Sequence, residues 1–121
     1  MSYDPNNIFA RILRGEVPCK KVFENQYALA FHDIHPATPV HVLIVPKGAY
    51  VDMTDFSEKA ADAEIVGFIR ALNYVARLAD PKGQGYRVLA NSGPNSHQEV
   101  PHMHMHLFAG RPLGPMIRRE P

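Results

Sequence analysis

The order of helix and strand patterns predicts an α+β domain built on a mainly antiparallel, five-stranded sheet with one short and one long helix. Two observations carry this. Five short extended-looking segments fall in runs and do not alternate one-for-one with helices, and one long stretch repeats its apolar positions at three and four. With 121 residues, 45% hydrophobic and 21% charged, the chain has the composition of one globular domain. The domain is expected over residues 1–111, with an irregular tail over 112–121.

The short helix comes first. Ile8, Phe9, Ile12 and Leu13 recur at helical spacing after Asp4-Pro5, and Gly15 followed by Val17-Pro18 stops it. Lys21–Glu24 and Tyr27–His32 read as extended segments joined by the two-residue turn Asn25-Gln26, a hairpin. Two prolines between Asp33 and Pro39 block both helix and ladder bonds, after which Val40–Val45 is a strongly apolar strand. From Thr54 to Asp80 the positions Ile65, Phe68, Ile69, Leu72, Val75, Ala76 and Ala79 mark one long amphipathic helix, capped by Ser57 or Thr54. Tyr86–Asn91 and His102–Ala109 complete the set, separated by a loop rich in Gly, Pro, Asn and Ser.

Composition narrows the function classes. Lys+Arg 13 against Asp+Glu 12 leaves a formal charge of +1, which provides no extended field for nucleic acid. A single cysteine, Cys19, cannot close an internal disulfide and reads as a small buried hydrophobe in a cytoplasmic protein. Neither a signal peptide nor an apolar run long enough for a membrane span is visible.

Histidine is the unusual residue: of seven, three stand at His102, His104 and His106. On a strand these share one face while Met103, Met105 and Leu107 take the other. Two chemistries suit such a ridge. One is a metal site, since imidazole is a common transition-metal ligand; the other is a phosphate site in which imidazoles serve as nucleophile and hydrogen-bond donors. Three alternate positions fit one tetrahedral ion poorly, because the outer pair stand about 13–14 Å apart along a strand.

The segment Val100-Pro101-His102-Met103-His104-Met105-His106-Leu107-Phe108 resembles the signature of the histidine triad (HIT) family of nucleotide hydrolases and transferases. Asn7-Ile8-Phe9, Gly15-Glu16-Val17-Pro18, Ala30–Ile34, Pro39–Lys47 and Asn91-Ser92-Gly93 resemble further segments of that family's nucleotide-binding branch, in order. The Gly110-Arg111 ending favours this branch over the dinucleoside polyphosphate hydrolases. The resemblance implies a HIT-like fold whose sheets join across a homodimer. The implied activity is that of a purine nucleoside phosphoramidase (adenosine 5′-monophosphoramidase-like) cleaving P–N or P–O bonds at the α-phosphate through a nucleotidyl-histidine intermediate. The alternatives are a nucleotide-binding adaptor with little turnover and a dinucleoside polyphosphate hydrolase. Partners are then AMP or GMP conjugates and a second copy of the chain, with no cofactor, metal, nucleic acid or membrane.

Carried over by resemblance, His104 matches the nucleophile, His102 and His106 its companions, and His41 a fourth, upstream histidine. Asp33 matches the carboxylate that holds the ribose, with Ile34 beside it; Phe9, Ile12 and Val17 match the walls of the base pocket; Asn91, Gln98 and Glu99 match residues around the phosphate. Two positions depart from the pattern. His97 stands where the branch usually has glycine, and Glu99 stands where the best-known members have a serine. From the residues alone, His41 would be a satisfied core histidine, Asp33 a turn residue before Pro36, His32 and His35 surface residues, and Lys82-Gly83-Gln84-Gly85 a turn.

Overall fold

The computed structural model describes residues 2–117 and Arg119. Its elements run α1 (Ile8–Leu13), β1 (Lys21–Glu24), β2 (Ala28–His32), β3 (Val40–Pro46), α2 (Met53–Lys59), α3 (Asp62–Ala79), β4 (Arg87–Leu89) and β5 (Met105–Ala109). The five strands form one sheet in the order β1-β2-β3-β5-β4, every neighbouring pair antiparallel. Arg111–Ile117 carry neither helix nor strand; Arg118, Glu120 and Pro121, the rest of the expected tail, lie outside the described residues. Among the described residues no helix is long and apolar enough to cross a membrane.

Local chemistry accounts for the element ends. Asn7 caps α1 by accepting the Ala10 N–H at 2.9 Å, and Gly15 turns the chain out at φ +79°. In the hairpin, the Asn25 side-chain oxygen accepts from the Tyr27 and Ala28 N–H groups, 2.8 Å each, so asparagine builds the turn with its own side chain.

The expected single helix over 54–80 is two. Asp52, not Thr54 or Ser57, caps the first through the Asp55 N–H, while the Ser57 hydroxyl donates back to the Met53 carbonyl inside the helix. Ala60 and Ala61 are extended, and Glu64 reaches back to the Ala61 N–H to start α3. Two alanines carry no local signal to stop a helix. Tertiary packing decides the break: Phe56 of α2 meets Phe68 of α3 edge-on, ring centroids 5.2 Å apart.

The last strand also starts later than expected, at Met105 and not at His102. With Ile44 opposite Met105, a longer strand would set Met103 opposite Pro46, which has no N–H to give. The Met103 N–H bonds to the Tyr50 carbonyl instead, at 2.7 Å. Only His106 of the three histidines therefore lies in the ladder. β4 is likewise shorter than the predicted 86–91.

The sheet has two different faces. Ala28, Ala30, Val42, Ile44 and Leu107 pack with Phe56 and with Phe68, Ala71 and Val75 of α3 in the main core; each large side chain buried there contributes roughly 1.5–3 kcal/mol. On the other face Leu29, Phe31, Leu43 and Val45 pack against Phe9 of α1. Strand alternation puts His41, His106 and Phe108 on this second face, since Leu43 pairs with His106 and His41 with Phe108.

Candidate active site

A cleft of about 640 Å³ opens on the second face. Its lining comes from α1 and β2, including Phe9, Ile12 and Phe31, and from the loop before β5, with Asn91, His97 and Glu99. His104 and His106 line it as well.

The hydrogen bonds determine which ring nitrogen of each histidine carries the proton, because several partners are restricted to one role. A carbonyl only accepts, so His102, whose Nε2 lies 2.8 Å from the Pro46 carbonyl, is protonated there. Its Nδ1 is then bare and accepts the Tyr3 hydroxyl proton at 2.6 Å. His104 Nδ1 donates to the His102 carbonyl at 2.6 Å, which leaves its Nε2 as a lone pair. Backbone N–H only donates, so the Ala37 N–H at 3.1 Å leaves His41 Nδ1 bare and Nε2 protonated. That proton goes to His106 Nδ1, 3.0 Å away, with the Asp33 carboxylate at 3.5 Å. His106 consequently keeps its own proton on Nε2. A bare imidazole nitrogen on His104 and an N–H donor on His106 thus occur side by side, ring centroids 5.1 Å apart.

Burial holds these rings neutral. His102, fully buried, is pushed down to about 4 by loss of solvation, against the Pro46 hydrogen bond. His106 is also lowered to about 4, by burial first and then by its histidine neighbours. His104 and His41 shift the same way for the same leading reason, opposed at His104 by its bond to His102 and at His41 by the charge of Asp33.

Of the residues singled out from the sequence, Phe9, Ile12, Asp33, Ile34, Asn91, Glu99, His104 and His106 line the cleft. Asp33 fulfils its turn role as well, one oxygen accepting the His35 N–H at 2.8 Å. Ile34 projects at the cleft's edge with 84% of its surface exposed. Four others stand elsewhere. His102 and His41 are buried behind His104 and His106, the carbonyl of His102 accepting from the His104 ring and the ring of His41 bonded to the His106 ring. Val17 is off the cleft wall, where Pro18 and Cys19 stand instead. The Gln98 carboxamide is committed to the loop, donating to the Val51 and Val100 carbonyls and accepting from the Gly93 N–H.

Sequence reasoning missed other features. Cys19 is half-buried, packed against the Phe9 and Phe31 cluster and also lining the cleft, and His32 and His35 stand at the same cleft. Tyr3 had no signal at all, lying in an irregular segment 99 residues from its partner. His97 adopts φ +59°, the left-handed region that glycine occupies without penalty. Its ring points to Glu99, Nε2 to carboxylate 3.0 Å, both side chains being largely exposed.

Asp33, His41 and His106 come close enough to hold a metal ion, but the tautomers oppose it. A metal-bound histidine normally donates its second ring N–H. Here the second nitrogen of His41 accepts from Ala37, so binding a metal through Nε2 would break that bond or require an imidazolate.

An antiparallel sheet that delivers alternating histidines into one cleft is the framework of a histidine triad protein. The chain belongs to the HIT domain family, whose model matches residues 14–113. It is 63% identical over 118 residues to an uncharacterised 13.2 kDa HIT-like protein of Azospirillum brasilense, covering 98% of this chain and 97% of that one. It is 39% identical to the purine nucleoside phosphoramidase of Escherichia coli, covering 93% and 94%. A solved structure of a HIT family hydrolase from Clostridium thermocellum superposes with a TM-score of 0.80 at 33% identity, covering 93% of this chain and 97% of that one.

Proposed function

We propose that this protein hydrolyses purine nucleotide conjugates at the α-phosphate, cleaving P–N or P–O bonds through a nucleotidyl-His104 intermediate. The observation that carries this is the pairing of an unprotonated His104 Nε2 with a protonated His106 Nε2 at one cleft. The first is a nucleophile and the second a donor to a non-bridging oxygen, whose charge must be held in the transition state. The phosphoramidase named among the relatives supports the same reaction class.

With a phosphoramidate monoanion as substrate, His104 Nε2 bonds to phosphorus as the P–N bond breaks, and the departing nitrogen takes a proton from solvent; of the two protons the attacking water later releases, one replaces it and the other converts ammonia to ammonium. Water then attacks phosphorus, the His104–P bond breaks, and the neutral ring is restored. The net reaction consumes one water and yields a nucleoside monophosphate dianion and an ammonium ion. Asp33 holds the ribose hydroxyls, and Phe9, Ile12 and Ile34 enclose the base. His41 and His102 act through the pair in front of them: one orients His106 by its N–H, the other aims His104 by its carbonyl.

The same reading includes a homodimer. β4 is an edge strand of three residues, and Val66, Ile69 and Leu78 of α3 are each about half exposed, so pairing would cover both an open sheet edge and apolar surface. Light scattering at micromolar concentration is expected to give twice the chain mass.

His104→Ala tests the chemistry. Turnover is expected to fall by on the order of 10³ or more while nucleoside monophosphate binding persists, because only the nucleophile is lost. Mass spectrometry without acid quench should show a nucleotidyl adduct in the parent protein. Comparable turnover by the variant would overturn the assignment.

A further inference from the structure

The cleft has an electrostatic character that its reactive histidines do not explain. Among the described residues its wall carries two carboxylates, Asp33 and Glu99, and neither lysine nor arginine. Sites that hold chains of phosphate offset several negative charges with lysine, arginine or a metal ion. Here the histidine rings are kept neutral by burial, and one of the two carboxylates, Glu99, belongs to the loop before β5.

The cleft lining divides by chemistry. The apolar part, Phe9, Ile12 and Phe31 with Ile34 at its edge, suits a nucleobase, and Asp33 suits the sugar beside it. With phosphorus at His104 and the base on the apolar part, the lining left for the rest of the molecule includes Asn91, His97 and Glu99. Glu99 is 74% exposed, so its carboxylate can meet a ligand without first losing its water. Its charge acts on both His104 and His106. Among the described residues the group paired with it is the His97 ring, itself 88% exposed and held at a backbone angle unusual for a residue with a side chain.

We propose that Glu99 selects the leaving group by charge, so that the preferred substrates are nucleotide phosphoramidates whose departing amine carries a second, cationic group. The inference rests on the hydrolase reading above and names the substrate class within it. A cationic leaving group exchanges the His97 contact for its own contact with Glu99, whereas a neutral one gains nothing there. A polyphosphate leaving group sets several like charges against an unneutralised carboxylate. His97 is therefore a competitor for Glu99 and moderates the preference.

The test compares kcat/KM for adenosine 5′-phosphoramidates of 1,3-diaminopropane, butylamine and 3-aminopropanoate, with diadenosine tetraphosphate as the polyphosphate case. The parent protein is expected to favour the diamine over butylamine by about fivefold at low salt, the upper value of one exposed ion pair. The carboxylate and tetraphosphate substrates should rank below both, and high salt should compress the series. Glu99→Gln should bring the diamine and butylamine substrates together, Glu99→Lys should invert their order, and His97→Gly should widen the parent preference. Equal use of diamine and butylamine by the parent, a preference that survives in Glu99→Gln, or tetraphosphate turnover matching the diamine would overturn charge selection and leave the hydrolase reading standing. Failure of the parent to turn over any conjugate would overturn both.

Discussion

The carbonyl oxygen of His102 lies 2.6 Å from Nδ1 of His104, so the main chain of one histidine aims the ring of the next but one. That carbonyl is itself held in place. The His102 ring is clamped between the Tyr3 hydroxyl and the Pro46 carbonyl, and Phe9 closes edge-on against His104 at 4.9 Å. His102 thus contributes its backbone to the cleft and its side chain to the support of that backbone.

Removing one hydroxyl tests this support. Tyr3→Phe leaves a fully buried Nδ1 without a donor and is expected to cost about 1–3 kcal/mol of stability, read from urea unfolding. An unchanged unfolding midpoint would show that the Tyr3–His102 bond contributes nothing to the fold.

Stability should depend on pH in a definite direction. The unfolded His102 titrates near 6.5 and the folded one near about 4, so between those values the unfolded chain binds a proton that the folded chain refuses. Stability is then fully present above pH 6.5, falls as pH drops through this window, and levels off below about 4. His102 alone accounts for about 3 kcal/mol of the loss, and His106 adds to it in the same direction and window. Thermal melts from pH 8 to pH 4 should show the decline, and a flat profile would contradict the burial argument.

Gly67 sets helix propensity against packing. Alanine is better in a helix interior by about 1 kcal/mol, yet a Cβ at Gly67 would collide with Tyr27 at Cβ, Cγ and Cδ2, the root of the side chain and not its flexible end. The Gly67 carbonyl also accepts from Asn25 at 3.1 Å, joining α3 to the hairpin turn. Gly67→Ala is expected to be net destabilising by roughly 1–2 kcal/mol, measured by chemical denaturation; a stabilised variant would show that Tyr27 yields.

Turnover should not require a metal ion. The Ala37 N–H on His41 Nδ1 favours the tautomer that hydrogen-bonds His106 over the one that binds a cation. Chelator treatment is expected to leave kcat unchanged and added zinc is expected not to raise it; zinc-restored activity would overturn the tautomer assignment.

Much of this architecture is legible along the chain because it depends on neighbours two to four residues away. Alternation over 28–32 and 40–46 decides which side chains share a sheet face, and Asn25 builds its own turn. The histidines at 104 and 106 stand on either side of Met105, and both rings line the cleft. Asp33 and Ile34 line the cleft from the turn after β2, and Phe9 and Ile12 line it from one face of α1, three residues apart.

The remainder depends on contacts between distant segments, which local periodicity does not encode. The break at Ala60-Ala61 follows from Phe56 folding under Phe68, and the late start of β5 follows from a proline on the neighbouring strand. Val17 and Gln98 have the right residue types near the right place, but the path of the loop turns one away from the cleft and commits the other's amide groups to backbone. Most of all, the proton positions on the four histidines are set by Tyr3, Ala37, Pro46 and His102 itself, partners up to 99 residues away. Alternation along two strands is enough to place His41 and His106 on one face of the sheet. Which imidazole keeps a lone pair and which keeps a proton is settled by packing between distant segments, because a ring's tautomer is chosen by the donor or carbonyl brought to its other nitrogen.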